Sequence, residues 1–235
     1  MGRKKIPVVT NALIAGLRPQ ARREFLRRAE LVELASGDVL CEVESPLSHV
    51  YFPLTGYLSR LVILDGKMPC DMGLIGNEGM LGAILIISVG QTPMRVVVQR
   101  AGTALRMTIP AFRRALREVP GLLLIVQRYL YVMIGQLARS SACARFHAIE
   151  PRLAGWLLMV QDCADADHFY ITQGSLADKL GVRRAGVTVA AGELKRKKLI
   201  RYSRGEMVIL DRKGLEAAAC SCYAALMEQL AHVVP

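Results

Sequence analysis

Gly181 stands between two short segments with helical apolar spacing, and this arrangement constrains the chain more than any other feature. The stretch "TQGSLADKLGVRRAGVTVAAGELKRKKLI" runs from Thr172 to Ile200. Ser175 to Leu180 is expected to form a first helix, with Leu176 and Leu180 inward and Ala177 small enough for close helix contact. Gly181 supplies a turn at which positive φ costs little. Arg184 to Lys195 is the expected second helix, with Val187, Ala190 or Ala191, and Leu194 on its buried side. Arg183, Arg184, Ala185, Thr188 and Val189 are then left on or near its exposed N-terminal part. Two helices around a glycine turn in this order make a helix-turn-helix pattern.

The charge around this pattern has one sign. Between Lys179 and Arg204 there are nine basic residues and one acidic residue, Glu193. "KRKK", Lys195 to Lys198, ends the second helix and runs just past it. "LIRYSRGEMVIL" reads as two strands about Ser203, Arg204 and Gly205, a wing carrying Arg201 and Arg204. The whole chain carries a net charge of +11, which favours polyanionic partners. A helix entering the major groove turns its N-terminal residues to the base edges. There an arginine can donate two parallel hydrogen bonds to guanine, which discriminate by roughly 1–3 kcal/mol. Thr188 offers a hydroxyl or a methyl group, and Lys195, Lys197 and Lys198 suit phosphates. Double-stranded DNA is therefore the expected partner, and the alternative is a solvated charged face.

The chain has 235 residues, enough for two modest domains. Its six cysteines (41, 70, 143, 163, 220 and 222) form no CxxC pair. With no secretory signal read at "MGRKKIPVV", a reducing cytoplasm is expected. Cys220 and Cys222 stand two apart, but no further ligands are evident beside them, so no metal site is expected. "VPGLLLIVQRYLYVMIGQLA", Val119 to Ala138, approaches the length of a membrane span. An arginine near the centre of a span costs roughly 2.5–3.5 kcal/mol. Arg128, with Gln127 and Gln136, therefore argues against a membrane. GxSxG, P-loop, HExxH and Rossmann fingerprints are absent from the sequence, and an enzyme is not expected.

Three segments are expected. Residues 1–118 begin with a short basic helix at Pro19 to Arg28. Short runs rich in Val, Ile, Leu and Tyr follow, split by turns at "SGD", "LTGY", "LDGK", "GNEG" and "RAGT". This texture predicts an antiparallel roll of jelly-roll type. Pro110 then opens a helix. Residues 119–149 form a long helix in which Leu123, Val126, Leu130, Met133 and Leu137 recur at alternating three- and four-residue steps, a dimer seam. Leu124, Ile125, Tyr129 and Val132 are expected to face the roll. Residues 150–235 hold the winged helix-turn-helix and a final helix near Leu215 to Leu230. The fold class is α+β.

"ITQGSLADKLGVRRAGVTVAAGELKRKKLIRYSRGEMVIL" resembles the DNA-binding domain of the Crp–Fnr superfamily of bacterial transcription regulators. The pattern there is T-x-x-x-(I/L)-A-x-x-L-G-x-(S/T)-R-x-x-V-(S/T)-R-x-L-x-x-L-x-x-x-G-L-I. The order of roll, long helix and winged domain extends the resemblance over nearly the whole chain. It implies a homodimeric regulator with a cyclic-nucleotide-binding-like sensor roll and a base-reading Arg184. Two residues depart from the pattern. Ala185 stands where a glutamate is usual and Val189 where an arginine is usual, so a family-typical target is not implied.

The family's nucleotide pocket pairs Gly-Glu for ribose with Arg-Ser or Arg-Thr for phosphate. Here Ala83 follows Gly82 and Val96 follows Arg95. Glu78, Gly82 and Arg95 are the remaining candidate effector residues, and cyclic nucleotide is disfavoured. An iron–sulfur cluster is disfavoured because no cysteine precedes Cys41. His49, His147, His168 and His232 lack a supporting haem motif, and no cofactor is expected. Two readings remain open. One is a regulator that responds to an unknown small-molecule effector. The other is a constitutive DNA-binding protein whose roll is only a scaffold. Activation would require a surface for RNA polymerase, for which no motif is evident.

Overall fold

The computed structural model describes residues 11–63, 69–164 and 166–233. The N-terminal "MGRKKIPVV" and the "LDGK" turn with Gly66 lie outside the described residues. The helices are α1 (Ala12–Ala15), α2 (Pro19–Arg28), α3 (Ile109–Glu118), α4 (Leu122–Phe146), α5 (Ile149–Ala164), α6 (Gln173–Leu180), α7 (Arg184–Arg196), α8 (Arg212–Ala218) and α9 (Ser221–Val233). The strands are β1 (Glu30–Leu34), β2 (Val39–Cys41), β3 (His49–Pro53), β4 (Tyr57–Val62), β5 (Cys70–Ile75), β6 (Arg95–Arg100), β7 (Gly102–Thr108), β8 (His168–Tyr170), β9 (Ile200–Ser203) and β10 (Glu206–Ile209).

Three sheets form, in the orders β1-β7-β3, β2-β6-β4-β5 and β8-β10-β9. In the first sheet β7 pairs antiparallel with both neighbours, placing Glu30 opposite Arg106 and Phe52 opposite Leu105. The α+β class, the antiparallel strands of the roll, the long helix and the C-terminal helix-turn-helix are all present.

The chain divides into two compact units. The first comprises the described parts of residues 1–58, 75–132 and 230–235. Its core joins helix to sheet through Phe25, Phe52 and Phe112. The Phe25 and Phe52 rings meet edge to face at 5.1 Å, and Phe112 lies 6.2 Å from Phe52. Asn11 is wholly buried yet satisfied: its amide donates to Pro53 O at 3.0 Å and Gly79 O at 2.9 Å, and its oxygen caps α1. Thr108 caps α3 by accepting from the Ala111 N–H, and Pro110 occupies the first turn, where its missing donor costs nothing.

Leu122, Ile125, Val126, Tyr129 and Val132 are the buried residues of α4. Val126 is therefore a core residue of its own chain, and it is unavailable to a seam between subunits in this conformation. Leu124, expected to face the roll, is half exposed. The outward large apolar residues of α4 are Leu123, Leu124, Tyr131, Ile134 and Phe146, with Tyr131 62% and Ile134 60% exposed. The three-four spacing in this leucine-rich helix fits two adjacent stripes, and only packing distinguishes them.

The second unit comprises the described parts of residues 59–74 and 133–229. α5 is its centre, packed against α6, α7 and α8. Leu153, Leu157 and Val160 of α5 are buried, as are Val187, Ala190, Ala191, Leu194 and Leu215. The final helix expected near Leu215 to Leu230 is two helices, because the chain breaks at Ala219 and Cys220. The stretch before α6 supplies β8, which pairs with β10. Among the described residues no single helix is long and apolar enough to cross a membrane.

Candidate nucleic-acid interface

The helix-turn-helix is built by local signals that agree with one another. The Thr172 hydroxyl accepts from the Ser175 N–H at 3.1 Å and caps α6. Gly181 ends α6 in the left-handed region at φ 62° and ψ 40°, and its N–H returns to the helix carbonyls. Gly186 sits where α7 crosses α5, and a Cβ there would lie 2.6 Å from Ile149 Cδ1. Its lack of a side chain allows the close approach.

The wing turn is a two-residue hairpin. Arg204 and Gly205 both have positive φ, at 50° and 90°. That is the sign pattern of a type I′ turn, whose twist matches the flanking strands. A Cβ at Gly205 would fall 2.4 Å from the Tyr170 ring, so this position accepts little but glycine. The Tyr202 hydroxyl donates to Ile171 O at 2.8 Å and ties the wing to the entrance of α6. Burial pushes the Tyr202 phenol up, the nearby Tyr170 adds to this, and the Arg184 charge opposes it.

Arg183, Arg184, Ala185, Thr188, Val189, Lys195, Lys197, Lys198, Arg201 and Arg204 are all exposed. Val189 is 68% exposed on the outer face of α7. α7 begins at Arg184 with no side-chain cap, so its first-turn N–H groups point outward unsatisfied by a side chain. The Thr188 hydroxyl donates to Gln173 Oε1 at 3.1 Å or to Arg184 O at the same distance. Gln173 is thereby brought beside the outer face of α7, a placement with no signal in the sequence.

The basic residues are not equivalent. Lys197 is ion-paired with Glu150, and Arg196 with Glu193. The Arg196 guanidinium holds the exposed Glu193 carboxyl below its ordinary value by hydrogen bonding. Lys198 adopts φ 57°, an uncommon conformation for a side chain with a Cβ. Lys179, counted with the basic surface, instead turns inward to Asp71 at 3.2 Å, where both side chains are less than a tenth exposed.

Each candidate effector residue has a local role in this structure. Gly82 has φ 103°, and a Cβ there would strike Val50 Cγ1 at 2.6 Å, so it serves a tight turn. Arg95 approaches Glu42 at 3.2 Å, and Glu78 accepts from the Gly76 N–H at 2.9 Å. A cavity of about 390 Å³ in the second unit is lined by none of the three. The expectation that Cys220 and Cys222 lack further ligands is overturned. Cys143 and His147, distant in sequence, converge on them.

Residues 151–218 match the family model for the Crp-like helix-turn-helix domain. Comparison with curated protein sequences gave no match. Several solved structures are similar in fold. FixK2 from Bradyrhizobium japonicum superposes with a TM-score of 0.68 at 13% identity, covering 82% of this chain and 98% of its own. The c-di-GMP-responsive global regulator CLP from Xanthomonas campestris gives 0.66 at 13% identity, covering 82% and 99%. A Crp/Fnr-family transcriptional regulator from Thermus thermophilus gives 0.63 at 21% identity, covering 81% and 98%. The chain therefore has the fold of the Crp–Fnr transcription regulators. Within that fold, its C-terminal part carries a Crp-like helix-turn-helix domain.

Proposed function

We propose that this chain is a cytoplasmic, non-enzymatic, homodimeric transcription regulator that binds double-stranded DNA through α7. The observation that carries the reading is the exposed face of α7. Arg183, Arg184, Ala185, Thr188 and Val189 all face solvent at the N-terminal end of a helix supported from behind by α5. Arg184 reads a base edge, and Val189 and Ala185 add apolar contact such as a thymine methyl group accepts. Lys195, Lys198, Arg201 and Arg204 meet phosphates, and the uncapped first turn of α7 favours an anion.

Dimerisation uses the outward apolar stripe of α4, with Leu123, Tyr131 and Ile134 as its principal contacts. Two copies of α7 then reach half-sites about 34 Å apart. A small-molecule effector acting on the roll would alter that spacing, and contact with RNA polymerase would convert binding into activation. Cyclic nucleotide is not the proposed effector, since Arg95 is engaged by Glu42 and Gly82 is committed to a turn.

Selection of bound duplexes from a random pool tests the reading. It predicts enrichment of a two-fold symmetric site with half-sites one helical turn apart. Recovery of sequences with no shared element would overturn it.

A further inference from the structure

We propose that Cys143, His147, Cys220 and Cys222 form a tetrahedral site for a zinc-class divalent cation, which staples the end of α4 to the start of α9. All four residues belong to the second compact unit. Cys143 and His147 are four apart, so one turn of helix places both on the same side of the end of α4. Cys220 occupies the break between α8 and α9, where its N–H donates to Pro151 O at 3.2 Å. Cys222 follows in the first turn of α9.

The four donor atoms lie within 4.8 Å of one another. Cys143 Sγ is 3.6 Å from Cys220 Sγ and 3.4 Å from His147 Nδ1, and Cys222 Sγ is 3.5 Å from the same nitrogen. A tetrahedral zinc ion with Zn–S of about 2.3 Å and Zn–N of about 2.0–2.1 Å requires S···S separations of about 3.8 Å and S···N separations of about 3.5 Å. These three spacings agree with that shell to a few tenths of an ångström, and the remaining pairs lie within 4.8 Å. A soft donor set of three sulfurs and one imidazole selects zinc over hard cations. Four protein donors leave no open position, which defines a structural role.

The surroundings fit the charge that binding creates. Three neutral thiols each give up a proton as the ion enters, and the imidazole binds as the neutral base. One divalent cation and three thiolates leave a net charge of −1. Arg139 lies one turn before Cys143 on α4. Its Nε is buried without a hydrogen-bond acceptor. A thiolate of the site is the acceptor it lacks. Cys143, Cys220 and Cys222 also line the 390 Å³ cavity, which gives an ion a path to them.

Cobalt(II) titration of the reduced, metal-free full chain, without oxygen, tests the proposal. One equivalent is expected to produce thiolate-to-cobalt charge transfer and the strong visible bands of a tetrahedral ion. Zinc should bleach both, and about three protons should be released per ion near neutral pH. Cys143→Ser and Cys222→Ser should lose these bands, and Cys41→Ser, in the other unit, should keep them. Circular dichroism establishes that each variant is folded, and His147→Ala provides a second variant that leaves every thiol in place. Absence of the bands in the reduced wild type overturns the site. So does equal intensity in the folded Cys143→Ser, Cys222→Ser and His147→Ala variants. A Cys143–Cys220 disulfide on exposure to air, with no cobalt spectrum before it, would also overturn the proposal and mark the cluster as a redox pair.

Discussion

The ammonium of Lys179 stands 3.2 Å from the carboxylate of Asp71, although 108 residues separate them. Asp71 also accepts from the Ser59 hydroxyl at 2.7 Å and from the Gly73 N–H at 2.9 Å, so both of its oxygens are engaged. Lys179 lies 5.7 Å above the Trp156 ring as well. The pair fixes α6 to β5, inside one compact unit. Removing one partner of a buried pair typically costs about 3–5 kcal/mol, because the other charge is left uncompensated. Asp71→Asn is expected to lower the unfolding free energy by about that amount in urea titration. Adding Lys179→Met should recover part of the loss, and failure to do so would show that the charges are not coupled.

Arg184→Ala should weaken binding to the selected site by about 1–3 kcal/mol and relax preference at one base pair in each half-site. Repeating the selection with the variant checks this. An unchanged consensus would move the reading role to another residue of the exposed set.

Lys198→Ala should flatten the slope of log affinity against log salt by about 0.9 for each phosphate that the lysine neutralises. Lys197→Ala should flatten it less, because Glu150 already engages that ammonium. Glu150→Gln should release Lys197 and strengthen binding to all sequences alike. Fluorescence anisotropy across a salt series distinguishes the three variants.

Ile134→Asp places a charge on the outward stripe of α4, where the native side chain is 60% exposed and makes little contact with its own chain. Monomer stability should change little, and the dimer dissociation constant should rise by at least about tenfold, or 1.4 kcal/mol. Analytical ultracentrifugation reads the effect. Val126→Asp should instead unfold the chain, since that side chain is wholly buried.

The Tyr223 hydroxyl donates to Asp162 at 2.8 Å and accepts from Arg212 at 2.8 Å. Burial pushes this phenol above its ordinary value of 10.0, and the bond to Asp162 adds to the shift. A group with a raised folded-state pKa stabilises the fold below its ordinary value and loses that contribution as pH rises. Urea midpoints should therefore fall as pH climbs above 10.0, and Tyr223→Phe should flatten that fall.

The features legible in the sequence are those whose causes lie within a few residues. Gly181 reads as a turn because only glycine takes that backbone without strain, and Pro110 marks a helix start through its own chemistry. α7 follows apolar spacing, and the exposed set from Arg183 to Val189 follows from the same spacing. The resemblance to the Crp–Fnr pattern rests on these local residues too.

Other features depend on what lies opposite. Val126 and Leu124 are both apolar residues of one helix, and only the packing of α4 decides which faces inward. β8 carries a weak strand signal and exists because β10 offers it unpaired backbone groups. Asp71 and Lys179 are charged residues of no distinctive pattern, and they become a buried pair only when β5 meets α6. Cys143 and His147 gain meaning only when the break at Cys220 turns α9 back toward the end of α4. Backbone preference and side-chain period are properties of a short stretch, and the sequence by itself determined what rests on them. Burial, charge pairing and ligand geometry are properties of groups far apart in the chain, so tertiary structure alone decided those.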